Sequence, residues 1–445
     1  MRSRVVQAGI AAAALLSLSV GARFVAARTE PWPPPAIVVA PNTARLAASV
    51  SVDALNSYLL RRYHEFNHTP LRGHLDVFGK DSVRAWDWAY LARSSVKIYQ
   101  LTHDPRLIEG LFQGLAAFES DAHRHEALDG FGWYTENTRT GVAYREVSVS
   151  GLIVAPVIDL LLEAQTDPQL AALVAPRRDE LLDLMRRSLA GLDKMYIEED
   201  GRGYFLLPNG GEIEPLNLMS VYANSLLGYW RLTGDAEALR EATGIASTWK
   251  AVLQVRADGS VSWPHTARPS TIKGPSNPME FLYKAAAAIE FPLEAYRAGL
   301  VLERRDIEAI AAAPMTTLLH KVDDRHYWLR TVMQGNLDAW LEFDPKDLSP
   351  ALRPSAWYGY LCHNHSLAGA LDSYLFGIDP KFYLKDGIAL LGMTDRLVLE
   401  RDPQRCAADP HAVATSLALD QARAGTPAGA PLATAEAGMT RSTLR

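Results

Sequence analysis

A helical hairpin that recurs along the chain constrains the fold more than any other feature of the sequence. The clearest copy runs from Glu214 to His265 and predicts a helix, a tight Thr233-Gly234-Asp235 turn, a second helix and a short extended piece with Trp263. Apolar residues recur near the helical period in both helices. Asp235 is a suitable N-cap for the second helix. The chain is therefore predicted to be built from pairs of helices.

An aspartate stands in the turn of each predicted pair, and these aspartates are spaced 63, 68, 71 and 73 residues apart. A period of this length exceeds that of short solenoid repeats and fits two helices of about 18 residues each plus a long connection. Where proline follows the aspartate, it cannot extend the first helix but suits the first turn of the next. The turn aspartates are Asp104, Asp167, Asp235, Asp306 and Asp379.

The long connections carry Asp or Asp-Gly followed by aromatic residues, a pattern that predicts a short pair of strands. These segments are Asp129–Trp133, Asp200–Tyr204, Asp258–Trp263 and Asp324–Trp328. Five or six such hairpins, each too narrow to bury its own apolar stripe, are expected to close into a ring. We predict an all-α fold, an (α/α) toroid of five to six helical hairpins with short β-hairpins in the long connections. The alternative is an open α-solenoid, in which the hairpins stack without closing.

Composition and the chain ends set further bounds. The 445 residues are 48% hydrophobic and 22% charged, as in soluble globular proteins, and a net charge of −6 gives no reason to expect nucleic acid. A basic start followed by the apolar run Val5–Val20 predicts a signal peptide over residues 1–27, with an uncleaved anchor as the alternative. We predict a Pro-rich linker over 28–50, the toroid domain over 51–402 and a disordered Ala/Thr-rich tail over 403–445. We therefore expect the protein to be periplasmic or secreted.

The sequence predicts no metal site and no cofactor. His363 and His365 alternate on a predicted helix and point apart, and neither HExxH nor CxxC occurs. Two cysteines, Cys362 and Cys406, cannot form a disulfide framework; we predict free thiols, with a single bridge as the alternative in an oxidising compartment.

In such a ring the inner helices begin at the end that carries the long connections, here called the mouth. Their N-termini direct partial positive charge into it. Polar and aromatic residues gather at these N-termini, as in a sugar-binding site, although core packing explains any single aromatic equally well. The predicted substrate-binding residues are Trp86, Asp87, Arg145, Asn217, Asn224, Glu280, Tyr283 and Trp357 on the inner helices, and Trp263 and His265 on a connection.

The densest polar cluster, Trp357–Ser366, contains Tyr360, His363, Asn364 and His365. Together with Tyr222 these residues are the predicted catalytic set. β-Elimination from a uronate needs a group that neutralises the carboxylate, a base for the C5 proton and an acid for the leaving oxygen, and these residue types supply all three.

Arg145 and Asn217 are the candidates for holding the uronate carboxylate. Glycoside hydrolysis needs two opposed carboxylates instead, and Asp87, Glu146 and Glu280 could supply such a pair.

The hairpin series, with its Asn217-led helix, Thr-Gly-Asp turn and extended piece ending in Trp263, resembles the toroid domains of polysaccharide lyases. It is also similar to the C-terminal domain of D-glucuronyl C5-epimerases. Trp357, His363 and Leu367 stand at the spacing expected for the last inner helix of those epimerases. The resemblance implies an acidic glycan substrate and often no cofactor.

We therefore expect an exported carbohydrate-active enzyme that cleaves a uronic-acid-containing polysaccharide by β-elimination. The alternatives are a C5-epimerase-like enzyme or a glycoside hydrolase on the same toroid, and a non-catalytic periplasmic glycan-binding protein. The expected partner is an acidic polysaccharide or oligosaccharide, with no nucleic acid and no stable membrane insertion beyond the signal segment.

Overall fold

The structure is a computed structural model. It describes residues 37–38, 51–68, 80–122, 132–136, 143–207, 212–257, 259–268, 280–321, 326–329, 353–364, 367, 371 and 386–402. The chain divides into two units, 1–36 and 37–445, and every described residue belongs to the second. The predicted signal peptide, almost all of the linker and the tail lie outside the described residues, so those boundaries stay predictions.

Helices dominate the described residues. They are α1 Val52–His68, α2 Lys80–Thr102, α3 Pro105–Ala122, α4 Val147–Glu163, α5 Pro168–Val174, α6 Arg178–Leu189, α7 Leu216–Thr233, α8 Ala236–Val252, α9 Leu282–Ala288, α10 Glu290–Arg297, α11 Arg304–Ala313 and α12 Gly387–Arg401. A 3₁₀ segment spans Arg353–Tyr360.

Short strands occupy the connections as predicted. They are β1 Ile37–Val38, β2 Tyr134–Glu136, β3 Ala143–Arg145, β4 Tyr196–Glu199, β5 Arg202–Phe205, β6 Gln254–Val255, β7 Val261–Ser262, β8 Leu319–Lys321 and β9 His326–Leu329. Four antiparallel hairpins result, β2–β3, β4–β5, β6–β7 and β8–β9, and β1 pairs with β9.

The turn aspartates act largely as predicted. Asp167 and Asp235 cap α5 and α8, each accepting hydrogen bonds from two backbone N–H groups of the following turn. Gly234 ends α7 with φ 77°, a left-handed conformation that glycine adopts without strain. Asp306 differs from the prediction, because it lies in the first turn of α11 and forms a capping box with Glu303. Asp379 lies outside the described residues.

Six inner elements close a ring in the described part of the chain. In order of packing they are α2, α4, α7, the α9–α10 pair, the 3₁₀ segment and α12, and α12 packs against α2. On the outside, α1 and α3 pack on α2, α6 on α4, α8 on α7 and α11 on α10. The predicted all-α toroid is confirmed, and the open solenoid is excluded because the last inner helix contacts the first.

Two inner elements differ from the predicted straight helices. The fourth is broken into α9 and α10 at Ile289, three residues before Pro292. The fifth begins as a 3₁₀ segment, which rises about 2.0 Å per residue instead of 1.5 Å and so descends faster through the ring.

Buried tryptophans join neighbouring hairpins. The indole N–H of Trp88 on α2 donates to Ile153 O on α4 at 3.2 Å, and that of Trp357 donates to Ile310 O on α11 at 2.8 Å. Each donor therefore has an acceptor on another element, and the ring shape is fixed by directional bonds as well as by apolar burial.

Among the described helices, none combines the length and the apolar character that a bilayer span requires. Cys362 is disulfide-bonded, so the prediction of a free thiol is wrong there.

The seam that closes the ring predicts a stability difference between two glycines. A Cβ at Gly392 on α12 would lie 2.3 Å from Ser355 O, whereas at Gly359 no heavy atom of the described contacts lies within 4 Å. Gly392→Ala should therefore lower the free energy of unfolding by about 1–3 kcal/mol through overpacking, measured by urea denaturation. Gly359→Ala, the matched control, should leave it nearly unchanged. Equal stability of both variants with the wild type would contradict the described seam.

Candidate functional site

A glutamate directly precedes three consecutive inner helices at the mouth. Glu146 comes before α4, Glu214 before Pro215 and α7, and Glu280 before Phe281 and α9, at separations of 68 and 66 residues. Carboxylates at helix N-termini are favoured by the helix dipole. Because neighbouring inner helices pack side by side, these glutamates lie around one end of the ring.

The segment Trp263–His265 ties two of these helix starts together. Leu216 N donates to His265 O at 2.9 Å, and Glu280 N donates to Trp263 O at 3.0 Å. This places the His265 ring beside Glu280, between α7 and α9. We name Glu146, Glu214, Asn217, His265 and Glu280 the mouth cluster.

His265 connects Glu280 to Lys284. The His265 Nδ1–Glu280 Oε1 distance is 3.0 Å, and the Lys284 Nζ–His265 Nε2 distance is 3.1 Å. An ammonium can only donate, so Nε2 is the acceptor and Nδ1 carries the ring proton. His265 therefore donates to Glu280 Oε1, which also accepts from Phe281 N at 3.0 Å.

The other oxygen of Glu280 is set apart from this network. Oε2 is buried and has no hydrogen-bond partner among the described residues. Burial raises the pKa of Glu280, although the hydrogen bond from His265 opposes the shift. A proton on this carboxyl therefore belongs on Oε2, where it can be given to a ligand.

Glu146 and Glu214 form an electrostatically coupled pair. Burial raises the pKa of Glu214 well above its usual range, and the nearby Glu146 charge raises it further. Burial also raises the pKa of Glu146, while a hydrogen bond from Ser148 Oγ opposes that shift. Because the Glu146 charge acts on Glu214, Glu214 keeps its proton to higher pH and Glu146 is the first of the two to ionise.

Unpartnered polar atoms are concentrated in this part of the structure. Four buried atoms that no described residue satisfies are Glu214 Oε1, Asn217 Oδ1, Trp263 Nε1 and Glu280 Oε2. Buried polar atoms are nearly always hydrogen-bonded in native proteins, and exceptions point to a ligand, ion or water. Three of the four are acceptors, which suits a ligand rich in hydroxyl groups.

The mouth cluster leads into the lumen of the ring. On α7, Asn217, Val221 and Asn224 follow the i, i+4, i+7 spacing of one helix face, and on α4 Ser148 and Leu152 do the same. Val221, Asn224 and Leu152 line a cavity of about 730 Å³, within the size range of ligand pockets. Ser148 and Asn217 therefore lie one turn above it.

The predicted site residues divide into three groups. Asn217, Glu280, Trp263 and His265 lie together at the mouth, while Trp86 and Asn224 line the lumen just below. Asp87 is exposed. The side chain of Tyr283 and all of His365 lie outside the described residues.

The residues of a second group are buried and most of them form hydrogen bonds to backbone carbonyl groups in the core. The Arg145 guanidinium donates to Ser188 O at 2.7 Å and to Ala190 O at 2.8 Å, and the Tyr222 hydroxyl donates to Leu189 O at 3.2 Å. The hydroxyl of buried Tyr360 donates to Ile289 O, and Trp357 is the fully buried tryptophan described above. Burial raises the pKa values of Tyr222 and Tyr360 well above the usual range. These hydrogen bonds use side-chain donors for which the sequence analysis had predicted contacts with a substrate.

His363 lies away from the mouth cluster. Its ring packs edge-on against Tyr296, near the C-terminal end of α10, at 5.7 Å between centroids. Burial and the nearby Arg297 and Arg304 charges lower the pKa of His363 to about 4. The expected convergence of His363 and its neighbour Asn364 with Asn217 is not observed, because His363 lies ten residues after Arg353, where the 3₁₀ segment begins, whereas Asn217 is the second residue of α7. Their proposed catalytic roles stay predictions.

Sequence analysis missed Glu214 and Lys284 as site residues. The signal for Glu214 was present, since Glu146, Glu214 and Glu280 repeat with nearly the hairpin period. Lys284 gave no signal, because its role depends on the fold that brings His265 beside it.

No protein-family model matches the sequence, and no curated protein matches it. Among solved structures, the chain is similar to the unsaturated glucuronyl hydrolase of Bacillus sp. GL1, with 14% identity over 79% of this chain and 96% of that chain and a TM-score of 0.48. It is also similar to the Lin0763 protein of Listeria innocua, with 12% identity over 79% of this chain and 98% of that chain and a TM-score of 0.47. A third similar structure is an α-1,6-mannanase of Salegentibacter sp. HEL1_6, with 11% identity over 78% of this chain and 100% of that chain and a TM-score of 0.44. At these values the similarities give no residue of this chain a role.

The buried state of Glu214 predicts a pH-dependent stability difference. A carboxyl whose pKa is raised on folding disfavours the folded state only as the pH rises above its unfolded pKa. Glu214→Gln should therefore match the wild type near pH 4 and exceed it in free energy of unfolding at pH 8 by about 1–3 kcal/mol. Urea denaturation across this range is the measurement.

Glu237→Gln is the matched control for this experiment. Glu237 is exposed, and its hydrogen-bonded ion pair with Arg240 lowers its pKa, so its effect should not change between pH 5 and pH 8. A stability difference for Glu214→Gln that stays constant from pH 4 to pH 8 would show that Glu214 is not a buried, electrostatically disfavoured carboxyl.

Proposed function

We propose that the protein is a carbohydrate-active enzyme that hydrolyses glycosidic bonds at the mouth cluster. The observation that carries the proposal is the set of three carboxyl groups at consecutive inner-helix starts, two of them with buried, unpartnered oxygens, above a lumen of ligand size. Glycoside hydrolysis needs one carboxyl that gives a proton and one carboxylate that assists attack. Both kinds are found here.

Glu280 is the proposed general acid. Its Oε1 is held by His265 and by Phe281 N, which leaves the proton for Oε2, and burial keeps the carboxyl protonated at higher pH than usual. In the reaction, this proton goes to the glycosidic oxygen as the C–O bond breaks.

The Glu146–Glu214 pair supplies the second carboxylate. Because Glu146 ionises before Glu214, Glu146 is the carboxylate that accepts a proton from the attacking water, whose oxygen bonds to the anomeric carbon. The products are two glycan ends, and the water proton remains on the pair until solvent removes it.

The lumen suits the proposed glycan partner. Trp86 and Tyr90, whose ring centroids lie 5.9 Å apart, both line it and add aromatic surface, which suits the C–H groups of a sugar. The lining cations that the structure describes are balanced by carboxylates, so an uncharged glycan is favoured over an acidic one.

β-Elimination on a uronic-acid glycan is the second candidate, and the Lys284–His265 contact favours it. An ammonium beside an imidazole could neutralise a uronate and leave the imidazole to take the C5 proton. Arg145 and Tyr222, which the sequence suggested for these roles, are bound to backbone carbonyls instead. Hydrolysis therefore remains the first proposal.

Export from the cytoplasm is part of the proposal. The basic and apolar start of the chain supports it, and so does the disulfide at Cys362, because disulfides persist in oxidising compartments.

The reaction is tested by incubating the purified chain with neutral and uronate glycans while following both reducing ends and absorbance from a C4–C5 double bond. Reducing ends without the absorbance are expected. Absorbance on a uronate glycan would replace hydrolysis by elimination, and silence on every glycan, with the protein folded, would overturn an enzymatic role.

Glu280→Gln should lower kcat on natural glycans by about 10²–10⁴-fold, the usual contribution of a positioned acid. On aryl glycosides whose leaving group needs no proton, the loss should be much smaller. Glu146→Gln should lose activity on both substrates, because the carboxylate that assists attack by water is lost in each. Glu237→Gln serves as the exposed control and should behave as the wild type.

The pH profile gives an independent readout. The alkaline limb of kcat/KM should report the raised pKa of Glu280 and should disappear in Glu280→Gln. An unchanged alkaline limb in that variant would remove Glu280 from the role of acid.

A further inference from the structure

The cavity inside the ring reaches the end opposite the mouth. Of the described residues that line it, Gln165 and Thr166 are the exposed ones, and both lie in the turn that follows α4. The cavity is therefore open to solvent at the C-terminal end of the inner helices, here called the far end. The lining residues in or just after the last turns of these helices include Gln100, Gln165, Thr166, Arg231, Ala298 and Leu399.

This cavity is separate from the mouth cluster. The five residues of that cluster are not among the described residues that line it. On α2, α4 and α7 the lining begins at Trp86, Leu152 and Val221, each in the second turn of its helix. The ion pair between Arg93 and Glu290 bridges the cavity, which continues on both sides of it. A ligand in this cavity is therefore held apart from the carboxyl groups of the proposed hydrolysis.

The charged side chains of the lining compensate one another. Each of the four lining cations that the structure describes has a carboxylate partner, and Glu163 brings the lining carboxylates to five. The C-terminal ends of the inner helices add partial negative charge at the far end. An anionic ligand is therefore disfavoured. The ion pairs are those of Arg93 with Asp159 and Glu290, of Lys97 with Asp395, and of Glu294 with Arg231 and Arg297.

Hydrogen-bond acceptors face this cavity. Gln100 Oε1 on α2 and Asn224 Oδ1 on α7 are buried oxygen atoms to which no described residue donates, and both residues line the cavity. The side chains of Asp159 and Glu290 keep 26% and 34% of their surface exposed, so their carboxylates offer further lone pairs. A ligand that donates several hydrogen bonds satisfies these acceptors, as the hydroxyl groups of a sugar do.

Aromatic rings add apolar surface to the same cavity. Trp86 and Tyr90 line it together, and Trp230, near the C-terminal end of α7, lines it close to the far end. Sugars combine hydroxyl groups with C–H groups, so they suit a lining of acceptors and aromatic rings. The volume of about 730 Å³ is within the range of ligand pockets.

We propose that the cavity is a second glycan site, entered from the far end, that binds an uncharged oligosaccharide apart from the mouth cluster. Hydroxyl groups of the sugar donate to Gln100 and Asn224 and to the exposed lone pairs of Asp159 and Glu290. A chain held here is bound and not cleaved, because the proposed acid and base lie elsewhere. The site therefore anchors the protein to a glycan, and it does not rest on the proposed hydrolysis.

Calorimetric titration tests the class of ligand. β-1,4-Linked trimers of glucose, mannose, glucosamine and glucuronic acid are titrated into Glu280→Gln, in which the proposed reaction does not consume them. At least one neutral trimer should bind about tenfold more tightly than either charged trimer. Tighter binding of a charged trimer, or no binding of any trimer, would overturn the proposal.

Removing an acceptor tests the position of the sugar. Gln100→Met keeps the length of the side chain but loses the amide oxygen, and it should weaken binding of the neutral trimer by about threefold to tenfold. Its free energy of unfolding should not fall, because an unpartnered buried acceptor is removed. Gln169→Met, at an exposed glutamine outside the cavity lining, is the control and should bind as the wild type does. Unchanged affinity in Gln100→Met would contradict the proposed site.

The association rate tests the entrance. Gln165→Trp narrows the far end, whereas Gln169→Trp adds the same ring four residues away, outside the lining. In stopped-flow tryptophan fluorescence the first variant should bind the neutral trimer at least about threefold more slowly, and the second should keep the wild-type rate. An unchanged rate for Gln165→Trp would show that the sugar does not enter at the far end and would overturn the proposal.

These measurements separate failure of this proposal from failure of the proposed function. Neutral sugar that binds at a rate set by Gln165, without hydrolysis of any glycan, would support the second site and reject the reaction at the mouth cluster. Hydrolysis by a protein whose sugar binding ignores both Gln100→Met and Gln165→Trp would reject the second site and leave the reaction standing.

Discussion

Close packing between neighbouring inner elements is the contact on which the rest of the structure depends. At Gly151 on α4 a Cβ would lie 2.9 Å from the Cα of Tyr222 on α7, so the two backbones approach as closely as glycine allows. The same holds at Gly392 and Ser355 where the ring closes. Because the inner helices run side by side in the same direction, their N-termini gather at one end, and one stripe of each helix is left facing the lumen.

That arrangement brings together buried carboxyl groups that lower the stability of the folded protein. Glu214 and Glu280 expose 1% and 0% of their surface, and each has an oxygen that no described residue satisfies. Helix N-termini offset part of the cost of burying a carboxylate, yet the raised pKa values show that burial dominates. Groups that lower stability and serve no packing role are characteristic of functional sites.

The lumen differs from the mouth because paired charged side chains line it. Its inward positions on α2, α4, α7 and α10 cannot all be filled by apolar side chains without closing the cavity. They carry guanidinium and carboxylate groups instead, arranged so that each of the described cations that line the cavity has a carboxylate partner. One of these pairs, Arg93–Glu290, joins non-adjacent helices, whereas the others join neighbouring helices or residues of one helix, and together they keep the space polar. They would add little stability over apolar packing, so their value lies in the shape and chemistry of the pocket.

The sequence was informative where a signal is local. The hairpin period, the aspartate caps, the strand pairs and closure into a ring all followed from spacing and turn chemistry, and Asn217, His265, Trp263 and Glu280 were placed at the mouth. Arg145, Tyr222 and Tyr360 were misleading, because residue type cannot show that a donor is already used by a backbone carbonyl. His363 was expected at the mouth because its inner helix was taken to begin near Trp357, whereas the 3₁₀ segment already begins at Arg353.

The ion pairs of Arg93 with Asp159 and Glu290 could not be predicted. They join residues 66 and 197 positions apart, which meet only once the order of helices in the ring is known.

The claim central to this account is that inner-helix packing brings Glu146 and Glu214 into electrostatic contact at the mouth. Titration of ¹³C-labelled glutamate carboxyl groups by NMR measures this directly, with single variants providing the assignments. The account predicts that Glu146 and Glu214 titrate above the usual glutamate range of about 4.3, and that Glu146→Gln moves the titration of Glu214 to lower pH while leaving that of exposed Glu237 unchanged. A Glu214 titration that is the same with and without the Glu146 charge would contradict it.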